Sequence, residues 1–165
     1  MFAGGGKTHL CKSDKRFVEV ESLLFKYKID DDFQGFEDFK AKRGRVINPD
    51  FPSNIIGQIV DILTCGIGQL VPVTPTQLDY LIEINNCAFA LPFELRKILI
   101  YPTIELMRKT FAERYRQRGN SESYISKRIE EYPSLHEQFK SLHNYEQIEF
   151  DRDVYLNTVV SELGI

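Results

Sequence analysis

Lys97-Ile98-Leu99-Ile100-Tyr101-Pro102-Thr103 is the stretch that decides the fold class. Branched and aromatic residues fill its first positions, which favours a strand, and Pro102 ends it. Thr103 then stands where a helix N-cap belongs. From Thr103 to Arg118 the apolar residues Ile104, Met107, Phe111 and Tyr115 recur at spacings of three and four, so the strand feeds a helix. Gly119 stops that helix, and Ser121 opens a second one running to about Glu131, ahead of Pro133. Glu146 to Phe150 reads as a further strand, and Arg152 to Leu163 as a closing helix with Val154, Leu156, Val159, Val160 and Leu163 on its apolar side.

Upstream, the same alternation continues. Phe17-Val18-Glu19-Val20-Glu21 alternates apolar and acidic residues, as a strand does, and Leu70 to Val73 is a short apolar run between Gly68 and Pro75. Ser53 to Leu63 and Pro75 to Ile84 carry helical periodicity. Strands alternating with helices imply an α/β domain whose mainly parallel sheet is covered on both faces. Residues 30–52 break the pattern, with Asp30-Asp31-Asp32, Gly35, Gly44 and two prolines. Such a segment is either an acceptor-side insertion or a solvated loop.

A chain of 165 residues, 42% hydrophobic and 27% charged, suits one domain spanning 1–165. A net charge of −3 supplies no global basic field, so nucleic acid is not an expected partner. Cys11, Cys65 and Cys87 are odd in number and widely spaced, which points to reduced thiols and a cytoplasmic location. His9, His136 and His143 do not pair with them at zinc-ligand spacing. Gln58, Asp61, Gln69 and Pro72 interrupt the longest apolar run, Ile55 to Val73, so no membrane span is expected.

The sharpest chemical signal is Gly4-Gly5-Gly6-Lys7-Thr8. It supplies the second half of the P-loop pattern, G-x-x-x-x-G-K-[ST], and the residues from Thr8 to Lys12 can open the helix that should follow. Glycines let successive amides point into one concavity around phosphate, the lysine reaches the outer phosphates, and the hydroxyl binds magnesium. The cofactor-binding set is therefore Gly4, Gly5, Gly6, Lys7 and Thr8. The pattern's first glycine falls on Met1, and no residues remain for the central strand that normally precedes such a loop. Losing about five buried apolar residues removes roughly 8–15 kcal/mol, comparable to a domain's whole stability. The expectation is a natural polypeptide extending upstream of Met1.

The run from Ile98 to Arg128 resembles the lid region of nucleoside monophosphate kinases, guanylate kinase in particular. An apolar strand ends in a proline, a helix follows, then Arg114-x-x-x-Arg118-Gly119, then a helix capped by Ser121 that carries Arg128. Glu21-Ser22 and Asn48-Pro49-Asp50-Phe51-Pro52 are similar to segments of small phage-type nucleotide kinases. The resemblance implies a P-loop NTPase three-layer sandwich, its first central strand missing here, with a lid over about 108–131. It implies ATP with Mg²⁺ as cofactors, a small-molecule nucleotide as substrate, and transfer of the γ-phosphoryl group to a (deoxy)nucleoside monophosphate or similar acceptor.

Phosphoryl transfer needs positioning and cancellation of negative charge more than covalent help. On this reading the catalytic residues are Lys7, Arg114, Arg118 and Arg128, and the metal residues Thr8 and Glu21. Arg114 and Arg118, four apart, lie on one helical face, and Arg128 closes from the next helix. Each has a plainer rival. Arg108, Arg114, Arg116 and Arg118 can be the solvated side of an amphipathic helix, Arg128 can pair with Glu131 or Glu122, and Glu21 can be a surface glutamate. The stretch Leu70-Val71-Pro72-Val73-Thr74 lacks the Asp usual at a third strand's end, which favours the alternative of a catalytically silent nucleotide-binding or interaction module. The kinase reading requires the glycine turn and the arginines to converge.

Overall fold

The structure, a computed structural model, describes residues 6–30, 33–36, 39, 43–65, 96–143 and 145–165. Among these it is mixed α/β, with six helices and a two-stranded parallel sheet. The expected strand at Leu70–Val73, the helix at Pro75–Ile84, and Cys87 lie outside the described residues. The chain divides into two compact units, one of Met1–Ser13 with Leu91–Ile165 and one of Asp14–Ala90.

In the first unit, α1 (Lys7–Ser13) is followed, after the second unit, by β1 (Ile98–Pro102). Leu99, Tyr101 and Pro102 of β1 are buried, in keeping with a run of branched and aromatic residues. Thr103 caps the next helix as its sequence position suggested, its Oγ1 accepting the Leu106 amide at 3.2 Å. That helix, α4, has three consecutive parts: Ile104–Leu106, a π-helical stretch Met107–Phe111, and Ala112–Gln117. Met107 and Phe111, four apart, are both fully buried. In a 3.6-residue turn a spacing of four overshoots by about 40°, and the wider π turn keeps the two more nearly in line.

Gly119 ends α4 in the left-handed region at φ +76°. Its amide donates to Arg116 O and the Asn120 amide to Tyr115 O, the paired bonds by which a glycine closes a helix. Ser121 then caps α5 (Glu122–Lys140), accepting the Tyr124 amide at 3.3 Å. The helix does not stop before Pro133, as the sequence suggested, but runs through it. A mid-helix proline costs about 3 kcal/mol. Beyond or beside it, however, Tyr132, His136 and Phe139 continue the buried stripe begun by Ile125. At roughly 1.5–3 kcal/mol for a large buried side chain, their burial outweighs that cost.

The chain then forms β2 (Glu146–Phe150), paired parallel to β1 in the register Ile98↔Glu146 to Pro102↔Phe150. The two expected strands and the helical crossover between them are therefore present. The core between α4 and α5 joins Leu106, Met107, Phe111, Ala112, Tyr115, Ile125 and Tyr132, and the Tyr132 hydroxyl donates to Pro102 O at the end of β1. The closing helix, α6 (Leu156–Glu162), begins four residues later than the apolar pattern suggested, because Arg152 and Asp153 form a bend. Leu156, Val159 and Val160 are buried, and α1 packs against this helix.

In the second unit, residues 18–21 form no paired strand, contrary to the alternating pattern, although Phe17 and Val20 are buried. Phe17 takes part in an isolated bridge, and Phe17 and Val20, three apart, do not share one face of a strand. Glu21 instead precedes α2 (Ser22–Lys26) at its N-cap position. Tyr27 and Ile47 form an isolated antiparallel bridge. The expected helix after Pro52 is present as α3 (Ser53–Cys65), with Ile55 and Ile59 fully buried. Asn54 at its start donates to Phe25 O of α2 at 2.8 Å. Among the described residues, no helix is long and apolar enough to cross a membrane.

Candidate functional site

Gly4 and Gly5 lie outside the described residues; Gly6, Lys7 and Thr8 lie within them. Gly6 is buried, with φ +90°, a conformation that L side chains rarely adopt. Space is tight as well. A Cβ there would lie 3.0 Å from Tyr155 Cδ1, 3.3 Å from Tyr155 Cβ and 3.5 Å from the Leu156 amide nitrogen. The Leu10 amide donates to Gly6 O at 2.9 Å, so α1 starts directly from this turn. First-turn amides have no acceptor within their own helix, which is the property that suits such a terminus to anions. Lys7 is half-buried and Thr8 exposed.

Of the arginines expected to meet this turn, Arg114 reaches its neighbourhood. The Arg114 guanidinium sits 4.4 Å from the centroid of the same Tyr155 ring that backs Gly6, and 5.2 Å from that of Phe111. It is 9% exposed, and its Nη2 donates to Asp153 Oδ1 at 2.6 Å and to Val154 O at 3.2 Å. Tyr155 also lies near His9, with ring centroids 5.8 Å apart. The ring thus links the start of α1, the middle of α4 and the start of α6 within one unit.

The other arginines behave differently. Arg118 is exposed just past the last residue of α4, and its side chain makes no hydrogen bond or ion pair among the described residues. Arg116 pairs with Glu122, its Nε donating to Oε1 at 2.7 Å, and that bond holds the Glu122 carboxyl below its ordinary value. Arg128 donates to Glu131 at 3.2 Å, one of the plainer partners its position allowed, and lies 5.2 Å from the Tyr124 ring centroid. Its pKa is raised, chiefly by its hydrogen bond with Tyr124.

Glu21 belongs to the second unit, half-buried at the head of α2. Residues 70–74, where a third-strand carboxylate would be sought, lie outside the described residues. Among the described residues no group of three His, Cys, Asp or Glu converges as a metal cluster.

Two groupings escaped the sequence reading. Tyr155 and Asp153 are tied to Arg114 across the whole α5–β2 crossover, and no local spacing signals such a contact. The second is around His136, which is buried, with Nε2 2.8 Å from Glu149 Oε1 and its ring edge-on to Tyr101 and Tyr132. Burial pushes the Tyr101 and Tyr132 hydroxyls upward, reinforced in both by the nearby Glu149 carboxylate. The α5 stripe predicts that position 136 faces inward, but not which strand residue receives the imidazole. Comparison with protein-family models, with curated proteins and with solved structures gives no match for this chain.

Proposed function

We propose that the chain is an ATP-binding, nucleotide-kinase-like phosphotransferase on a P-loop α/β fold, moving the γ-phosphoryl group to a (deoxy)nucleoside monophosphate or a similar small acceptor. The observation that carries this reading is the shared ring: the Gly6-Lys7-Thr8 turn and the arginine-bearing helix α4 both rest on Tyr155 within one compact unit. A turn whose conformation strongly favours glycine, leading straight into a helix at lysine and threonine, suits the donor set phosphates require.

Bound ATP with Mg²⁺ would supply the phosphoryl group and neutralise part of its charge. Lys7 would hold the outer phosphates by its ammonium group, and Thr8 would offer its hydroxyl to the metal. Arg118 is exposed and unengaged among the described residues, so its guanidinium would cancel charge on the group in transfer. Arg128 would approach from α5 by exchanging its bond to the exposed Glu131.

The purified protein is expected to form ADP only when a nucleoside monophosphate is added. Lys7→Ala and Arg118→Ala should each lower that rate at least about 100-fold, the usual loss when a transition-state charge stabiliser is removed. Unchanged turnover in both variants removes both roles. One observation favours a second reading, a catalytically silent nucleotide-binding module: Arg114, expected to clamp the phosphoryl group, is already held by Asp153 and Val154. A thermal shift with ATP but no ADP formation selects that reading, since a ligand that binds only the native state raises its stability.

A further inference from the structure

We infer that Tyr155 is the positioning residue of the Gly6–Thr8 turn, and that Arg114 serves the site by fixing Tyr155 rather than by touching phosphate. The inference rests on the phosphotransferase reading above and deepens it.

Arg114 grips three successive residues in three different ways. Its Nη2 donates to the Asp153 carboxylate and to the Val154 carbonyl, and its guanidinium lies over the Tyr155 ring at 4.4 Å. Phe111, one turn earlier on α4, lies 5.2 Å from the same guanidinium. A guanidinium already committed to a carboxylate, a carbonyl and two rings, at 9% exposure, is an anchor. A phosphate could use it only by displacing Asp153 at 2.6 Å.

The anchored ring is in turn the wall of the glycine turn. A Gly6 Cβ would press against Tyr155, 3.0 Å from its Cδ1 and 3.3 Å from its Cβ. His9, three residues further on, meets the same ring. Lys7 and Thr8 lie between these two contacts, so the position of the Tyr155 ring sets where their backbone runs. Tyr155 is nonetheless 49% exposed, more than a residue kept only for core packing would be. A displacement of about 1 Å at a positioning residue costs on the order of 100-fold in rate.

The test uses the full chain and measures Mg·ATP affinity by calorimetry, at a temperature where every variant is folded, alongside urea unfolding. Tyr155→Ala should weaken ATP binding about 10-fold or more, and Tyr155→Phe, which keeps the ring, should restore affinity to within about 2-fold of wild type. Val160→Ala is the control, because Val160 is buried on the same helix. It should lower stability while ATP affinity stays as in wild type. If Tyr155→Ala does not fold, Tyr155→Leu takes its place in the same comparison.

Equal ATP affinity in Tyr155→Ala and Val160→Ala overturns the positioning role. The phosphotransferase reading survives that result if wild type binds ATP and Lys7→Ala does not. Absence of ATP binding by wild type, or equal binding by Lys7→Ala, brings down that reading and this inference together.

Discussion

The two faces of α4 use one residue type for opposite purposes. On the inner face, Arg114 lies beside buried Phe111 and Tyr115, held by Asp153, Val154 and Tyr155. On the outer face, Arg116 donates two hydrogen bonds to Glu122 in open solvent, and Arg118, just past the helix, has no ion pair among the described residues. A guanidinium's worth is therefore set by its surroundings. Inside, its stem and plane fill space against Phe111 and Tyr155; outside, water and side-chain entropy cancel most of the gain.

The strongest way to break this contrast is Arg114→Ala. Loss of a charge-assisted hydrogen bond and of cation–π contact by a buried guanidinium, discounted because its partner Asp153 is exposed, should cost about 1–3 kcal/mol by urea denaturation. A loss below about 0.5 kcal/mol would put Arg114 on a par with the surface arginines.

The inner face can be probed by pH as well. Burial pushes the Tyr115 hydroxyl up from its ordinary value near 10 to about 12. The folded state therefore favours the protonated phenol. Its contribution is complete below about pH 10, where the unfolded chain also keeps its proton, and is lost as pH rises towards 12. The melting temperature should fall across that interval, by roughly 1–3 kcal/mol of stability, and Tyr115→Phe should flatten the fall. An identical alkaline profile in Tyr115→Phe would remove Tyr115 from the account.

The smallest effect belongs to Arg116. The Arg116–Glu122 pair is exposed on both sides, so Arg116→Ala should leave the urea midpoint within measurement error of wild type, and added salt should shrink even a small shift. A clear fall of that midpoint at every salt concentration would mean the outer face shares in the anchoring.

What could be read from the sequence follows the same division between local and distant causes. Thr103, Gly119 and Ser121 act on amides and carbonyls within a few residues, so the boundaries of α4 and the start of α5 were legible. Ile98–Tyr101 carries enough branched side chains to announce a strand by itself. Pro133 misled because its local cost is real but smaller than the burial of Tyr132, His136 and Phe139, a tertiary gain no window of sequence contains. Residues 17–21 misled in the opposite sense, since beyond the bridge at Phe17 they form no strand, and the buried pair Phe17 and Val20 does not follow the alternation. Near the candidate site, the helix that follows Gly6 was legible because a glycine turn before a helix is a local pattern. The fate of Arg114 was not, because its helical spacing to Arg118 says nothing about Asp153 and Tyr155 beyond the crossover.

The π-helical stretch at Met107–Phe111 has a consequence for how this helix tolerates change in length. An α-helix that loses one residue turns everything after the cut by about 100°, which ordinarily scrambles the buried face. Here the backbone already carries a surplus residue in a widened turn, so deleting Lys109, which is exposed, would tighten the ladder to regular winding. Loss of a single codon there would leave the helix standing and keep Arg114 and the residues after it on the sides they already occupy.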